Sequence, residues 1–180
     1  MAEPAVNELA KAETDVEFIW RAFELRPEPV PTLPPDGEYL HRVWESSVYP
    51  MAKSLGITMK LPPVQPRSRL AHEAAHWART VGSFEEMNAE IFRAFFERGE
   101  DIGEIEILVS LAAKLNLDFE SLRRALEIRE FEQSVIEDEQ TAQMMGLGGV
   151  PAFVANRKVA LSGVQSLENL KKMVEYVRER

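Results

Sequence analysis

Residues 72–76 read His-Glu-Ala-Ala-His. Two histidines four positions apart lie one turn apart on the same helix face, so both imidazoles could reach one zinc ion. Glu73 between them would polarise a metal-bound water, the arrangement of a zinc-dependent hydrolase. The uncharged neighbours Leu70, Ala74, Ala75 and Trp77 suit that pattern. A catalytic zinc takes a third protein ligand. Glu97, Glu100, Asp101 and Glu104 follow downstream, none of them in a second recognisable motif, and Gly82 stands where the longer H-x-x-G-x-x-H extension would place its third histidine. The five-residue pattern therefore competes with an ordinary helix carrying two histidines, and no metal ligand and no cofactor is assigned.

Composition removes other chemistries. There is no cysteine in the 180 residues, so they supply no disulfide, thiolate nucleophile, Cys-ligated zinc or iron–sulfur cluster. A formal charge of −9, with basic residues interleaved among acidic ones, argues against nucleic acid and anionic membranes as partners. No apolar run approaches the ~18 residues that span a bilayer, and MAEPAVNELAKAE has neither a basic region nor an apolar one. A cytoplasmic location is expected.

The elements that must position any site come in a mixed order. Residues 4–13 read as a helix opened by Pro4. In DVEFIWRAFEL (15–25), Val16, Phe18 and Trp20 alternate with charged residues, which predicts a strand. Five prolines in 27–35 stiffen the next connection. A helix follows from 37 with a kink at Pro50, and a second proline cluster precedes RLAHEAAHWART (69–80). Ser83 with Glu86 predicts a capping box, opening a helix whose apolar stripe is Phe84, Met87, Ile91 and Phe95. Further helices are expected near 104–115, after an Asp118 cap, and over 129–145. The acidic excess of 127–139 predicts a solvated helix face. PAFVA (151–155) and KVALSG (158–163) around Asn156-Arg157 read as a β-hairpin, and Ser166 caps a closing helix.

The stretch GVPAFVANRKVALSGVQSLENLKKMV resembles the DsbA-like thioredoxin-fold family. VEFIWRAFELRPEP and LPPVQPRSRLAHEAA are similar to its FrnE-type branch, near the 2-hydroxychromene-2-carboxylate isomerases and kappa-class glutathione transferases. The resemblance implies an α/β fold with a thioredoxin-like core, residues 1–36 and 146–180, around an all-helical insertion at 37–145. It also implies that the family's N-terminal strand and Cys-x-x-Cys turn are missing. MAEPAVNEL matches the middle of the helix that follows that turn.

The family activity implied is that of a protein disulfide oxidoreductase or isomerase, and a cysteine-free chain is expected to be catalytically incomplete, with no catalytic residue assigned. A non-catalytic peptide-binding relative is the alternative beside the zinc hydrolase. Taken alone, an X-Pro bond is cis in only ~5–6% of cases; the resemblance implies cis for Val150-Pro151. It implies too that Val150, with Pro151, offers backbone groups to a polypeptide or small thiol substrate. Where glutathione-using relatives carry a Ser-Asp pair, this chain has Val164-Gln165, so the carboxylate for an ammonium group is lacking. Unpaired strand edges lead us to expect a homodimer.

Overall fold

The computed structural model describes residues 1–179. Helix α1 (Glu3–Ala12) carries Pro4 in its first turn and buries Val6 and Leu9, as the apolar spacing predicts. A chain of irregular structure then leads to α2 (Glu38–Val43), a π-helical stretch Trp44–Val48, and α3 (Tyr49–Ser54). Pro50 has no N–H and its ring would collide with the preceding turn. The helix meets this by widening just before it, Tyr49 donating to the Trp44 carbonyl, so the expected kink takes the form of a π-turn.

The helical block is built on α4 (Arg69–Thr80), which packs against α5 (Phe84–Arg93), α6 (Ile105–Lys114), α7 (Phe119–Glu127) and α8 (Glu132–Met144). Its core is Met87, Leu108, Leu122 and Leu126 around the small face Ala71, Ala74, Ala75 and Ala78, which lets neighbouring helices approach closely. Each large aliphatic side chain so enclosed contributes roughly 1.5–3 kcal/mol. Helix α5 runs into a second π-helical stretch, Ala94–Arg98, which ends at Gly99 with φ of 72°. A Cβ there would lie 2.7 Å from the Pro63 ring, so glycine is required on both counts. Trp44 packs on Phe96, joining the α2–α3 arm to this end of the block.

The expected hairpin forms: β1 (Ala152–Ala155) pairs antiparallel with β2 (Val159–Ser162), Phe153 opposite Leu161, and Asn156 and Arg157 both have positive φ at the turn. Helix α9 (Leu167–Arg178) closes the chain and packs on α1 and β1. A second, smaller core forms there from Val6, Leu9 and Leu170, with Phe18, Trp20 and Phe153 against it.

Three expectations need correction. Of residues 15–25, Asp15 lies in a turn and Leu25 in a bend, and the stretch between them forms no helix and joins no sheet among the described residues. Their alternation reported an extended chain with one buried face, and side chains take the place of a neighbouring strand. Ser83 precedes α5 but makes no side-chain cap bond, its φ of −123° and ψ of 30° not being the extended geometry of a capping box. The acidic face at 127–139 is solvated only in part, because Asp138 and Glu139 are buried. By contrast Asp118 and Ser166 do cap, accepting from the Ser121 and Asn169 N–H groups. Asp118→Ala is therefore expected to cost about 1 kcal/mol, and Ser83→Ala no more than ~0.5 kcal/mol, in paired urea denaturation curves.

Candidate functional site

One face of α4 carries Arg69, His72, His76 and Arg79, at helical spacing. All four meet the extended segment 20–26 or the α8 carboxylates that hold it. Arg79 donates to the Trp20 carbonyl at 2.9 Å, and Arg69 bonds the Glu24 carboxylate at 3.1 Å. The His72 imidazole lies against the Phe23 backbone, which favours its protonated form. His76 Nε2 lies 3.2 Å from Asp138 Oδ2, which also accepts the Ala22 N–H at 2.9 Å. At the next residue of α8, Glu139 accepts the Glu24 N–H at 3.3 Å and an Arg69 N–H at 3.2 Å. The segment thus has carboxylates and guanidiniums where a sheet strand would have a ladder.

This settles the His-Glu-Ala-Ala-His motif against zinc. Both imidazoles are engaged in docking segment 20–26. Glu73 points away from them, is fully buried, and is gripped by Arg129 at 2.6 and 2.9 Å. A carboxylate so enclosed polarises no water. Among the described residues no three His, Asp or Glu side chains stand close enough to share a metal ion, so Glu97, Glu100, Asp101 and Glu104 do not complete a site.

The electrostatics follow from the packing. Desolvation pushes the His72 imidazole down to about 4, against the opposing effect of the Phe23 backbone. Burial alone would raise the Asp138 carboxyl, yet the bonds from His76, the Ala22 N–H and Arg21 outweigh it and hold the group below the usual range. Burial raises the Glu139 carboxyl, with Arg69 opposing.

A pH dependence follows for His72. Between pH ~6.5, the free imidazole value, and about 4, the unfolded chain binds a proton that the folded chain refuses. Stability from this group is complete above that window and is lost as pH falls through it, by about 1–3 kcal/mol. In urea titrations between pH 7 and 4, the difference between the native chain and His72→Gln should shrink or reverse along that window. A constant difference would contradict the assignment.

Val150 and Pro151 sit elsewhere, where the chain enters β1. The bond between them is cis, as the resemblance implied. Pro151 turns its carbonyl to the hairpin, accepting the Gly163 N–H at 2.8 Å. The alternation of an antiparallel pair then leaves Val150, Ala152 and Val154 facing the opposite, open edge of β1. Val150 is 50% exposed, and among the described residues no hydrogen bond engages its N–H or C=O. Gln165 binds locally, donating to the Ser162 carbonyl at 2.8 Å and accepting from Asn169; it is a structural bridge between hairpin and α9.

The DSBA-like thioredoxin domain matches residues 1–175. The chain belongs to that family. It is similar to the uncharacterized protein YwbO of Bacillus subtilis (strain 168), 38% identical over 135 residues, which are 73% of this chain and 67% of YwbO. A candidate DsbA oxidoreductase of Streptomyces coelicolor superposes with a TM-score of 0.78 at 23% identity, covering 99% of this chain and 84% of its own. A candidate protein disulfide isomerase of Nitrosomonas europaea gives 0.73 at 15% identity, covering 98% and 89%. At those identities the structures show a shared fold, and the α/β thioredoxin-like class expected from the sequence is the fold observed. No helix among the described residues is long and apolar enough to cross a membrane.

Sequence reasoning singled out Val150 and Pro151 as substrate contacts and weighed the two histidines only as metal ligands. It missed Glu24, Arg69, Arg129, Asp138 and Glu139. The one signal available for Arg129 is its place just after α7, where glycine is the usual residue; its φ is 57°.

Proposed function

We propose that this chain provides the substrate-binding side of a DsbA-type thiol–disulfide oxidoreductase or isomerase, of the FrnE-type branch. An extended polypeptide or small thiol substrate would lie along the open edge of β1 at Val150. The observation that carries the proposal is the exposed, unpaired backbone of Val150 beside Pro151 on a family fold. An extended peptide can pair with such an edge through main-chain hydrogen bonds. The 180 residues contain no cysteine, so thiol turnover is not expected from these residues, and the reading that stands beside this one is binding without catalysis. A homodimer is part of the proposal: at high concentration a second copy would compete with substrate for the free edge of β1. Light scattering at high concentration should then report a mass near twice 20.4 kDa.

The test is to titrate the protein with a carboxymethylated, permanently unfolded polypeptide and, separately, with a model peptide disulfide. Saturable binding of the first, with no reduction or exchange of the second, is expected. Absence of saturable binding removes the substrate-edge reading; disulfide exchange by these residues would overturn the account of their chemistry.

A further inference from the structure

A pocket of about 420 Å³ opens where segment 24–28, the start of α4, the loop before α6 and the turn between α7 and α8 converge. Its volume is in the range of small-ligand sites. Three guanidiniums line it, and each is ion-paired: Arg67 with Glu28 and bonded to the Arg26 carbonyl, Arg69 with Glu24 and Glu139, Arg129 with Glu73 and Glu132. Asp101 and Glu104 also line it, with no basic partner among the described residues. Asp101 Oδ1 accepts the Gly103 N–H.

The second observation is independent of that acidic excess. Glu24 lines the pocket, is 5% exposed, and its Oε1 has no hydrogen-bond partner; Oε2 of the adjoining Glu73 has none either. A buried carboxylate oxygen without a donor marks a place where a donor is missing. An ionised carboxylate only accepts, and the carboxylates lining the pocket, Glu24, Glu28, Asp101, Glu104 and Glu132, outnumber its three guanidiniums. The carboxylates are too dispersed to converge on a single metal ion. A cation with several N–H groups spread over its own frame fits the arrangement.

We infer that this pocket binds an alkylguanidinium or alkylammonium group, with Asp101 and Glu104 at its mouth and Glu24 beneath. The group could belong to a free amine or to an arginine or lysine side chain of a polypeptide. The inference does not depend on the substrate edge at Val150.

The test is an NMR titration of the whole chain with butylguanidinium, with the blocked peptide acetyl-Ala-Arg-Ala-amide, and with inorganic phosphate. Saturable shifts confined to the amides of Leu70, Gly103 and Glu104 are expected for the first two. Tighter binding of the peptide would identify a side-chain ligand, and tighter binding of butylguanidinium a free one. The exchange Asp101→Asn with Glu104→Gln, which keeps the Gly103 acceptor, should weaken binding at least tenfold. No saturable shift with either cation, unchanged affinity in that variant, or preferred binding of phosphate would overturn the inference. Butylguanidinium binding here, without polypeptide binding at Val150, would leave this site standing and remove the function proposed above.

Discussion

Replacing Arg129 by alanine is expected to destabilise the protein by about 3 kcal/mol, the largest loss at any single ion pair in the helical block. Glu73 is wholly buried, one oxygen takes both Arg129 contacts, and the other has no partner. Removing the guanidinium leaves a carboxylate with no counter-charge inside the α4–α7 packing. The 40% exposure of Arg129 lets water reach its side of the pair, which keeps the figure at the low end of the range for broken buried pairs. Two companion variants separate causes. Glu73→Gln in the Arg129→Ala background should recover part of the loss, since a neutral amide is cheaper to bury than a charge. Arg129→Gly should cost about 1 kcal/mol less than Arg129→Ala, because the position is left-handed. Urea denaturation of the four proteins checks both. A loss below ~1 kcal/mol for Arg129→Ala would mean the pair behaves as a surface salt bridge.

Asp138→Ala is expected to cost about 2–3 kcal/mol, chiefly by leaving the Ala22 N–H and His76 without their common acceptor. Arg21 contributes little of this, since its side chain is 61% exposed. The loss has a distinctive location. Amide exchange at Ala22 should accelerate strongly while that of the α4–α7 core changes only by the overall stability difference. It also has a pH signature. The Asp138 carboxyl is held below its ordinary value, so its contribution is full above the unfolded pKa near ~3.9. It is lost as pH falls through the lower folded value. The deficit of Asp138→Ala should therefore be steady from pH 8 to 5 and disappear only in strong acid.

These two sites show where sequence reasoning stops. Caps at Asp118 and Ser166, the Asn156-Arg157 turn and the helical stripes were legible because each is decided by neighbours within four residues. The alternation in 15–25 correctly reported an extended chain packing Phe18 and Trp20 inward, but alternation says nothing about what satisfies the backbone. That partner is supplied 116 residues away by Asp138, whose setting among Glu137 and Glu139 reads as a solvated face. The same blindness to distant partners made His72 and His76 resemble metal ligands: Phe23 and Asp138, which occupy them, are remote in sequence. The Val150-Pro151 conformation was legible only through resemblance, since nothing local distinguishes it from a trans bond at the start of a strand.

The proposed substrate edge on β1 is tested most directly by amide hydrogen exchange at Val150. In the dilute, monomeric protein no hydrogen bond protects that N–H, and it should exchange near the rate of an unstructured peptide. Added carboxymethylated polypeptide should slow it in a saturable way, with a midpoint equal to the binding constant measured independently. Polypeptide that binds to saturation while Val150 exchange stays fast would contradict the account and place the binding face elsewhere.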